Sequence, residues 1–263
     1  MINTGTPNNS YSRSIDDLVE PLKQQSLLEF QCPGTFEVNG REYCLPKFVF
    51  RDRNASEAIR IGIFAAIHGD EPAGALAVAE FMKLLATDPE LGFDYTVHAY
   101  PICNPTGFED GTRFSRNGRD LNREFWRNSQ QPEVQLLEQE LRTRRFNGII
   151  QLHADDTSDG LYGFVRGHTL TENILRPALL ESGKILPRNV NAQIDGFAAR
   201  DGIIYDLYEG VLGAPARIQP EPFEIVFETP GLAPLQLQVD AFVVALKTIF
   251  IEYRRLISFA QNI

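Results

Sequence analysis

The sequence predicts an α/β fold, a three-layer α/β/α sandwich around a mixed, mostly parallel sheet. Three observations carry this expectation. Short apolar runs of strand length alternate with longer stretches of helical periodicity, as in βαβ units. The run at 61–67, Ile-Gly-Ile-Phe-Ala-Ala-Ile, has no polar alternation, as in strands covered on both faces. The length, 263 residues, suits one large α/β domain. No linker or composition break divides the chain, so residues 1–263 read as a single domain, with 1–60 a helix-and-hairpin extension packed on it.

The elements follow in order. Residues 15–28 read as a short helix with Ser14 as a cap. Residues 30–50 read as an antiparallel hairpin turning at Asn39-Gly40. Cys32 and Cys44 flank that turn and could face each other; ordinary reduced thiols are expected. Cys103 reads as a small buried filler. The first central strand, 61–67, stops at His68-Gly69-Asp70-Glu71, and Pro72 suits the first turn of a helix. That helix, 71–85, is carried by Leu76, Ala79, Phe81, Met82 and Leu85. Residues 95–102 alternate weakly and read as the next strand. Residues 104–127, rich in Gly, Asn and Arg without periodicity, read as a long loop, a kind usually functional or disordered. A helix is expected over 133–144, with Val134, Leu137 and Leu141 on one face, and a strand over 148–153 ends in His153. A short strand at 161–165, a helix at 171–186 capped by Thr171 and an irregular stretch at 191–222 come next. A strand over 223–228 ends in Glu228, and a long helix over 235–259 follows. No internal repeat or low-complexity segment is present.

A formal charge of −10 and a pI near 5.0 argue against nucleic acid or an anionic membrane surface as partner. The first 14 residues are polar, without an apolar signal core, and no apolar stretch reaches 18 residues. The chain therefore reads as soluble and cytoplasmic, unless a leader preceded this numbering. Its oligomeric state is not legible.

His68 and Glu71 fall at the carboxyl end of a buried strand, where open α/β sheets place ligands. Three residues apart across a turn, they could aim an imidazole and a carboxylate at one point. That is two thirds of a His/His/Glu zinc site. A lone His-x-x-Glu is weak, since chance alone supplies many. His153 and Glu228 also end strands, and parallel strand ends share one rim. An imidazole left unpaired in apolar surroundings costs free energy. With His68 and Glu71 converging nearby, His153 reads as a ligand rather than a satisfied core histidine. His98 and His168 read as surface or satisfied structural histidines.

With these pieces in order, the sequence resembles the zinc metallocarboxypeptidases, the carboxypeptidase A/B-like family. His68-Gly69-Asp70-Glu71 is similar to their His-x-x-Glu ligand pair, and Leu152-His153 to their third-ligand strand. Asn104-Pro105-Thr106-Gly107 with Gly118-Arg119-Asp120-Leu121-Asn122-Arg123 is similar to their Asn-Pro-x-Gly … Gly-x-Asp-x-Asn-Arg segment. Phe227-Glu228-Thr229-Pro230-Gly231 is similar to the strand carrying their catalytic Glu. The resemblance spans roughly residues 61–246 and implies a zinc-carboxypeptidase-like fold. It also implies one Zn²⁺ per chain, held by His68, Glu71 and His153, with a fourth position left for water. By the same resemblance Glu228 is the general base, and Arg113 supports the oxyanion, with Arg116 a competitor. Asn122 and Arg123 hold the substrate's terminal carboxylate, Arg123 as a rigid fork. Asp120 orients a ligand histidine, expected to be His68.

Two features depart from the family's pattern. The segment 196–202, where members carry a mobile-loop Tyr, has none; Tyr205 or Tyr208 could substitute. Residues 210–222 look inserted. Both fall where a side-chain pocket is expected. The implied activity is removal of C-terminal amino acids from peptides. Alternatives are an N-acyl amino acid deacylase of the aspartoacylase or succinylglutamate desuccinylase type, and a murein peptide amidase. The deacylases usually carry a further β domain, and the end at Ile263 counts against them in this reading. A non-catalytic binding domain on the same fold is the alternative of another class; the retained Glu228 argues against it.

Overall fold

The computed structural model describes residues 12–52, 55, 57–206 and 210–261. Helix α1 (Ile15–Lys23) starts at Ser14, whose Oγ accepts from the Asp17 amide at 3.3 Å. Strands β1 (Leu28–Gln31), β2 (Thr35–Val38), β3 (Arg41–Cys44) and β4 (Lys47–Arg51) make two nested hairpins. The inner one, β2–β3, turns at Asn39 and Gly40, both at positive φ. The outer pair, β1–β4, is one edge of the main sheet, so residues 28–51 belong partly to the sheet itself. The turn sets Cys32 and Cys44 with Cα atoms 5.9 Å apart, and they form a disulfide instead of the expected free thiols. Cys103 is buried, as expected.

Strand β5 (Ile59–Ala65), helix α2 (Pro72–Thr87), strand β6 (Tyr95–Tyr100) and helix α3 (Pro105–Asp110) follow. Then come α4 (Pro132–Arg144), β7 (Gly148–Asp155) and β8 (Tyr162–Val165), and α5 (His168–Leu170), which continues through Thr171–Leu175 into α6 (Arg176–Ser182). Short strands β9 (Gln193–Ile194), β10 (Phe197–Arg200) and β11 (Ile203–Ile204) precede β12 (Phe223–Pro230) and α7 (Leu235–Gln261). The ten-stranded sheet runs β1-β4-β6-β5-β7-β12-β8-β11-β10-β9. Its centre, β6-β5-β7-β12, is parallel, and antiparallel pairs flank it on both sides, giving the mixed sheet expected.

Side chains alternate across the central strands. Ile61, Ile63 and Ala65 of β5, with Ile150 and Leu152 of β7, pack into one cluster with α1, α2, α6 and α7. Phe64, Tyr100, Phe146 and Ile149 face the other way and pack on Leu137 and Leu141 of α4. Two expected irregular stretches hold structure. The Gly/Asn/Arg-rich stretch contains α3, capped by Asn104, whose Oδ1 accepts from the Gly107 amide at 2.9 Å. The 191–222 stretch contains β9–β11, whose runs of two to four residues are too short to show periodicity.

Under the α4 layer lies a buried charge group. Glu140 accepts from Lys47 Nζ and the Tyr100 hydroxyl, each at 2.5 Å, and from Arg144 at 3.0 Å. Burial opposes the carboxylate, but the hydrogen bonds from Arg144, Lys47 and Tyr100 outweigh it and bring its pKa down from 4.5 to about 2. A depressed folded-state pKa stabilises above the unfolded value, and that stabilisation is lost as pH falls through the folded one. Glu140→Gln strands the Lys47 charge and is expected to cost about 3–5 kcal/mol at pH 7. The deficit should shrink between pH 4.5 and about 2, where wild type loses the same interaction. Urea unfolding at pH 7 and pH 3 checks both; an equal deficit at the two pH values would refute the linkage.

Candidate metal centre and substrate cleft

The carboxyl ends of β5, β7 and β12 share one rim. After β5 the chain turns through Ala66 at φ 47° and delivers His68 and Glu71 before Pro72 starts α2. This turn packs against α3 so closely that a Cβ on Gly69 would lie 1.9 Å from the Gly107 carbonyl carbon. Only glycine fits there. Asn104 Nδ2 donates to Ile67 O at 3.3 Å and reaches Arg113 O at 3.5 Å, which ties the turn to the following loop.

Glu71 lies between two imidazoles. Its Oε1 is 2.6 Å from His68 Nδ1, and its Oε2 is 3.1 Å from His153 Nδ1 and accepts from the Ala154 amide at 3.1 Å. One ligand atom from each of the three residues lies within 4.8 Å of the others. All three residues are buried. Burial opposes the charge of Glu71, but His153 and His68 outweigh it, so it is held below the ordinary carboxylate range. Burial lowers the pKa of His153 against the pull of Glu71 and favours the neutral ring. Burial also opposes the charge of His68, but Glu71 and Asp120 prevail and raise its pKa to about 8. Two imidazoles and a carboxylate are the borderline-soft donor set that zinc takes in catalytic sites. Asp120 Oδ1 stands 3.3 Å from His68 Nε2, on the side away from Glu71, and can fix that ring's orientation.

Glu228 pairs in register with His153 on one side and Tyr162 on the other, so the three side chains share one rung and one face. Burial pushes the Glu228 carboxyl well above its ordinary range, helped by Glu71, Asp155 and Asp195. Below the rung opens a cleft of about 930 Å³, whose lining includes His68, Glu71, His153, Glu228, Arg113 and the Asn122–Arg123 pair. Arg113 donates to Asp120 Oδ2 at 3.0 Å and lies 3.8 Å from Glu71 Oε1. The Asp120 carboxylate caps the turn carrying Asn122, accepting its amide at 3.0 Å. Asn122 Oδ1 accepts from the Leu212 amide at 2.8 Å, and Arg123 Nη1 donates to Asn122 O at 2.8 Å.

Two expected residues stand elsewhere. Arg116 is held by Asp110 at 2.6 and 2.7 Å and by the Tyr43 hydroxyl at 2.5 Å, away from the cleft lining. Tyr205 is 61% exposed and outside that lining; Tyr208 lies outside the described residues. His168 is exposed as expected, whereas His98 is buried with Nδ1 unpartnered among the described residues, and burial next to Lys47 and Arg144 lowers its pKa to about 3. The lining residues that the sequence did not single out include Gln151, Tyr162, Asp195 and Val211.

Residues 57–178 match the family model described as succinylglutamate desuccinylase/aspartoacylase catalytic domain. A Shewanella baltica OS155 protein described as a metallopeptidase superposes with a TM-score of 0.75 at 23% identity, over 91% of this chain and 92% of that one. The fold is carboxypeptidase-like. A metallo-carboxypeptidase from Burkholderia cenocepacia gives 0.70 at 17% identity, over 92% and 68% of the two chains. Bovine thrombin-activatable fibrinolysis inhibitor gives 0.65 at 15% identity, over 94% and 99%. No curated protein matches the sequence. Among the described residues no helix is long and apolar enough to cross a membrane.

Proposed function

We propose that the protein is a zinc-dependent hydrolase that removes the C-terminal amino acid of a peptide. The observation that carries this reading is the shared cleft: Asn122 and Arg123 line the space that also holds His68, Glu71, His153 and Glu228. A zinc ion held by His68, Glu71 and His153 would supply Lewis acidity for the scissile carbonyl. Arg123 and the Asn122 side-chain amide bind the free carboxylate. Glu228 takes a proton from the attacking water and passes it to the leaving amine. Arg113 offers positive charge to the developing oxyanion.

The deacylase reading is favoured by the family match over 57–178. Both readings cleave the same unit, an amide whose amine side carries an α-carboxylate; they differ on the acyl side. A cleft of about 930 Å³ is larger than a single short acyl group requires and suits a peptide. The test is amino-acid release from a free-acid peptide, its C-terminal amide, and the N-acetyl and N-succinyl amino acids. The free acid should be cleaved and the amide spared. Cleavage of the short N-acyl compounds alone would favour the deacylase.

Metal content tests the ligand set separately. Wild type should hold about one zinc per chain. His153→Ala should lose most of it by elemental analysis, and wild-type-like zinc in that variant would sink the assignment.

A further inference from the structure

On the rim opposite the candidate metal centre, the sheet borders a second pocket of about 850 Å³. Its polar lining includes Arg51, Arg60, Thr96, His98, Arg144 and Asn147. Arg51 closes β4, while Thr96 and Arg60 stand near the starts of β6 and β5. These three pair across the strands on one rung. Side chains paired in this way share a face, so two arginines flank one threonine hydroxyl. The next rung inward on that face holds His98, between Val49 and Gly62. The His98 ring meets Phe146 edge-on at 5.6 Å, on the side of the sheet that α4 covers. Arg144 comes from the last turn of α4, and Asn147 from the link into β7.

The charge around the pocket is in surplus on the basic side. Arg51 pairs with Glu29 at 2.5 Å and Arg144 with Glu140 at 3.0 Å, whereas Arg60 has no ion-pair partner among the described residues. The Arg51–Glu29 pair is exposed and holds Arg51 only weakly. Glu140 is shared, since it also accepts from Lys47. The acid in the lining itself is Glu57, which is exposed. Arg51, Arg60, Arg144 and Lys47 therefore face Glu29, Glu140 and Glu57, and one positive charge is left over.

The uncharged groups point the same way. Asn147 Oδ1 accepts from the Arg60 amide at 2.8 Å, so its Nδ2 is the atom left to donate. His98 is the buried member of the lining, 4% exposed, and its Nδ1 has no hydrogen-bond partner among the described residues. Burial first, then Lys47, Arg144 and Arg51, disfavour its protonation, and Glu140 does not offset them. The ring thus stays neutral in a positive field. An unsatisfied buried imidazole, a surplus cation and a rung of donors together describe a seat for an anion. Two guanidinium forks on either side of a hydroxyl offer donors from several directions, which suits a tetrahedral oxyanion better than a planar carboxylate.

We propose that this pocket binds a dianionic oxyanion, a phosphate or sulfate group, held by Arg60 and Arg51 with the Thr96 and Asn147 donors and with His98 behind them. The site is independent of the hydrolase reading. Calorimetry at low ionic strength tests it with sulfate and phenyl phosphate, against sodium chloride at matched ionic strength. Wild type should bind sulfate above the chloride reference. Arg60→Gln should weaken that binding by about 10- to 100-fold, the size of a hydrogen bond to a charged group. Arg60→Lys should recover part of it, as a point charge without the fork. Thr96→Val keeps the shape and should weaken binding by about 2- to 10-fold. Thermal melts without added sulfate should match wild type for these variants, which separates a lost contact from a lost fold. Arg123→Ala should leave the affinity unchanged, because Arg123 lines the cleft on the other rim. Tighter binding of phenyl phosphate supports the site and identifies a phosphate ester, with Ile59 and Ile257 against its apolar part. Equal affinity for the two probes supports the site with a free oxyanion as its occupant. Sulfate heats no larger than those of chloride overturn the inference, as does wild-type affinity in Arg60→Gln. Loss of binding in Arg123→Ala places the anion in the other cleft and overturns it as well.

Discussion

Glu228→Gln is expected to lower turnover by about 10²–10⁴-fold while zinc stays bound, the usual size of a general acid–base contribution. The substitution keeps shape and hydrogen-bonding reach and removes only the proton acceptor. Glu228 is not among the three clustered residues that could hold a metal ion; it stands across the rung from His153. Metal content by elemental analysis should therefore match wild type. A second readout comes from stability. Burial, with Glu71, Asp155 and Asp195 nearby, raises the Glu228 pKa above its unfolded value. A carboxyl raised in this way destabilises the fold as pH climbs past the unfolded pKa, because the folded state resists ionisation. The neutral amide removes that penalty. Metal-free Glu228→Gln should thus melt at or above the wild-type temperature at pH 8, a functional residue held at some cost to stability. Activity comparable to wild type would mean that another group is the base. A clearly lower melting temperature would mean that Glu228 stabilises the fold through a contact that an amide cannot make.

What was readable in the sequence, and what was not, follows from how each residue is positioned. His68, Glu71, His153 and Glu228 sit where an apolar run stops, and such a stop is a local signal. The Asn104 and Asp120 turns are local too, since each caps the backbone two or three residues ahead through its own side chain. Gln151 and Tyr162 carry no local mark. They reach the cleft only because β7, β12 and β8 pair in one particular register, and a one-residue slip would turn them to the opposite face. Asp195 arrives on a hairpin whose strands are two and four residues long. The choice between Arg113 and Arg116 was open for a similar reason. Each lies in the same aperiodic stretch, and they part only through which carboxylate each reaches, Asp120 for one and Asp110, with Tyr43 from the remote hairpin, for the other. The disulfide was missed because a compartment was inferred from composition, whereas the hairpin geometry alone brings Cys32 and Cys44 into range.

Arg123→Ala should cost about 2–5 kcal/mol in kcat/KM on a free-acid peptide, the range for truncating one partner of a buried, hydrogen-bonded charge pair. The lower end is expected, because Arg123 is exposed in the open cleft and becomes desolvated only when substrate covers it. Asn122 also remains, anchored to Leu212 through Oδ1 and with its amide nitrogen left for the carboxylate. Blocking the substrate as a C-terminal amide should cost wild type a similar amount, since it removes the other partner. The two losses report one interaction and should not add. In a four-way cycle of wild type and Arg123→Ala on acid and amide, the coupling energy should approach the single loss itself. The variant should then discriminate little between acid and amide, even though its absolute rate on both is low. A structural role for Arg123, such as holding the 120–123 turn through its bond to Asn122 O, predicts something else: both substrates slowed equally, with discrimination intact. Lys at this position separates the cases further, because a point charge restores attraction without the fork, and partial recovery of acid preference is expected. If wild type cleaves the amide as readily as the acid, no terminal carboxylate is being read, and the exopeptidase assignment falls with it.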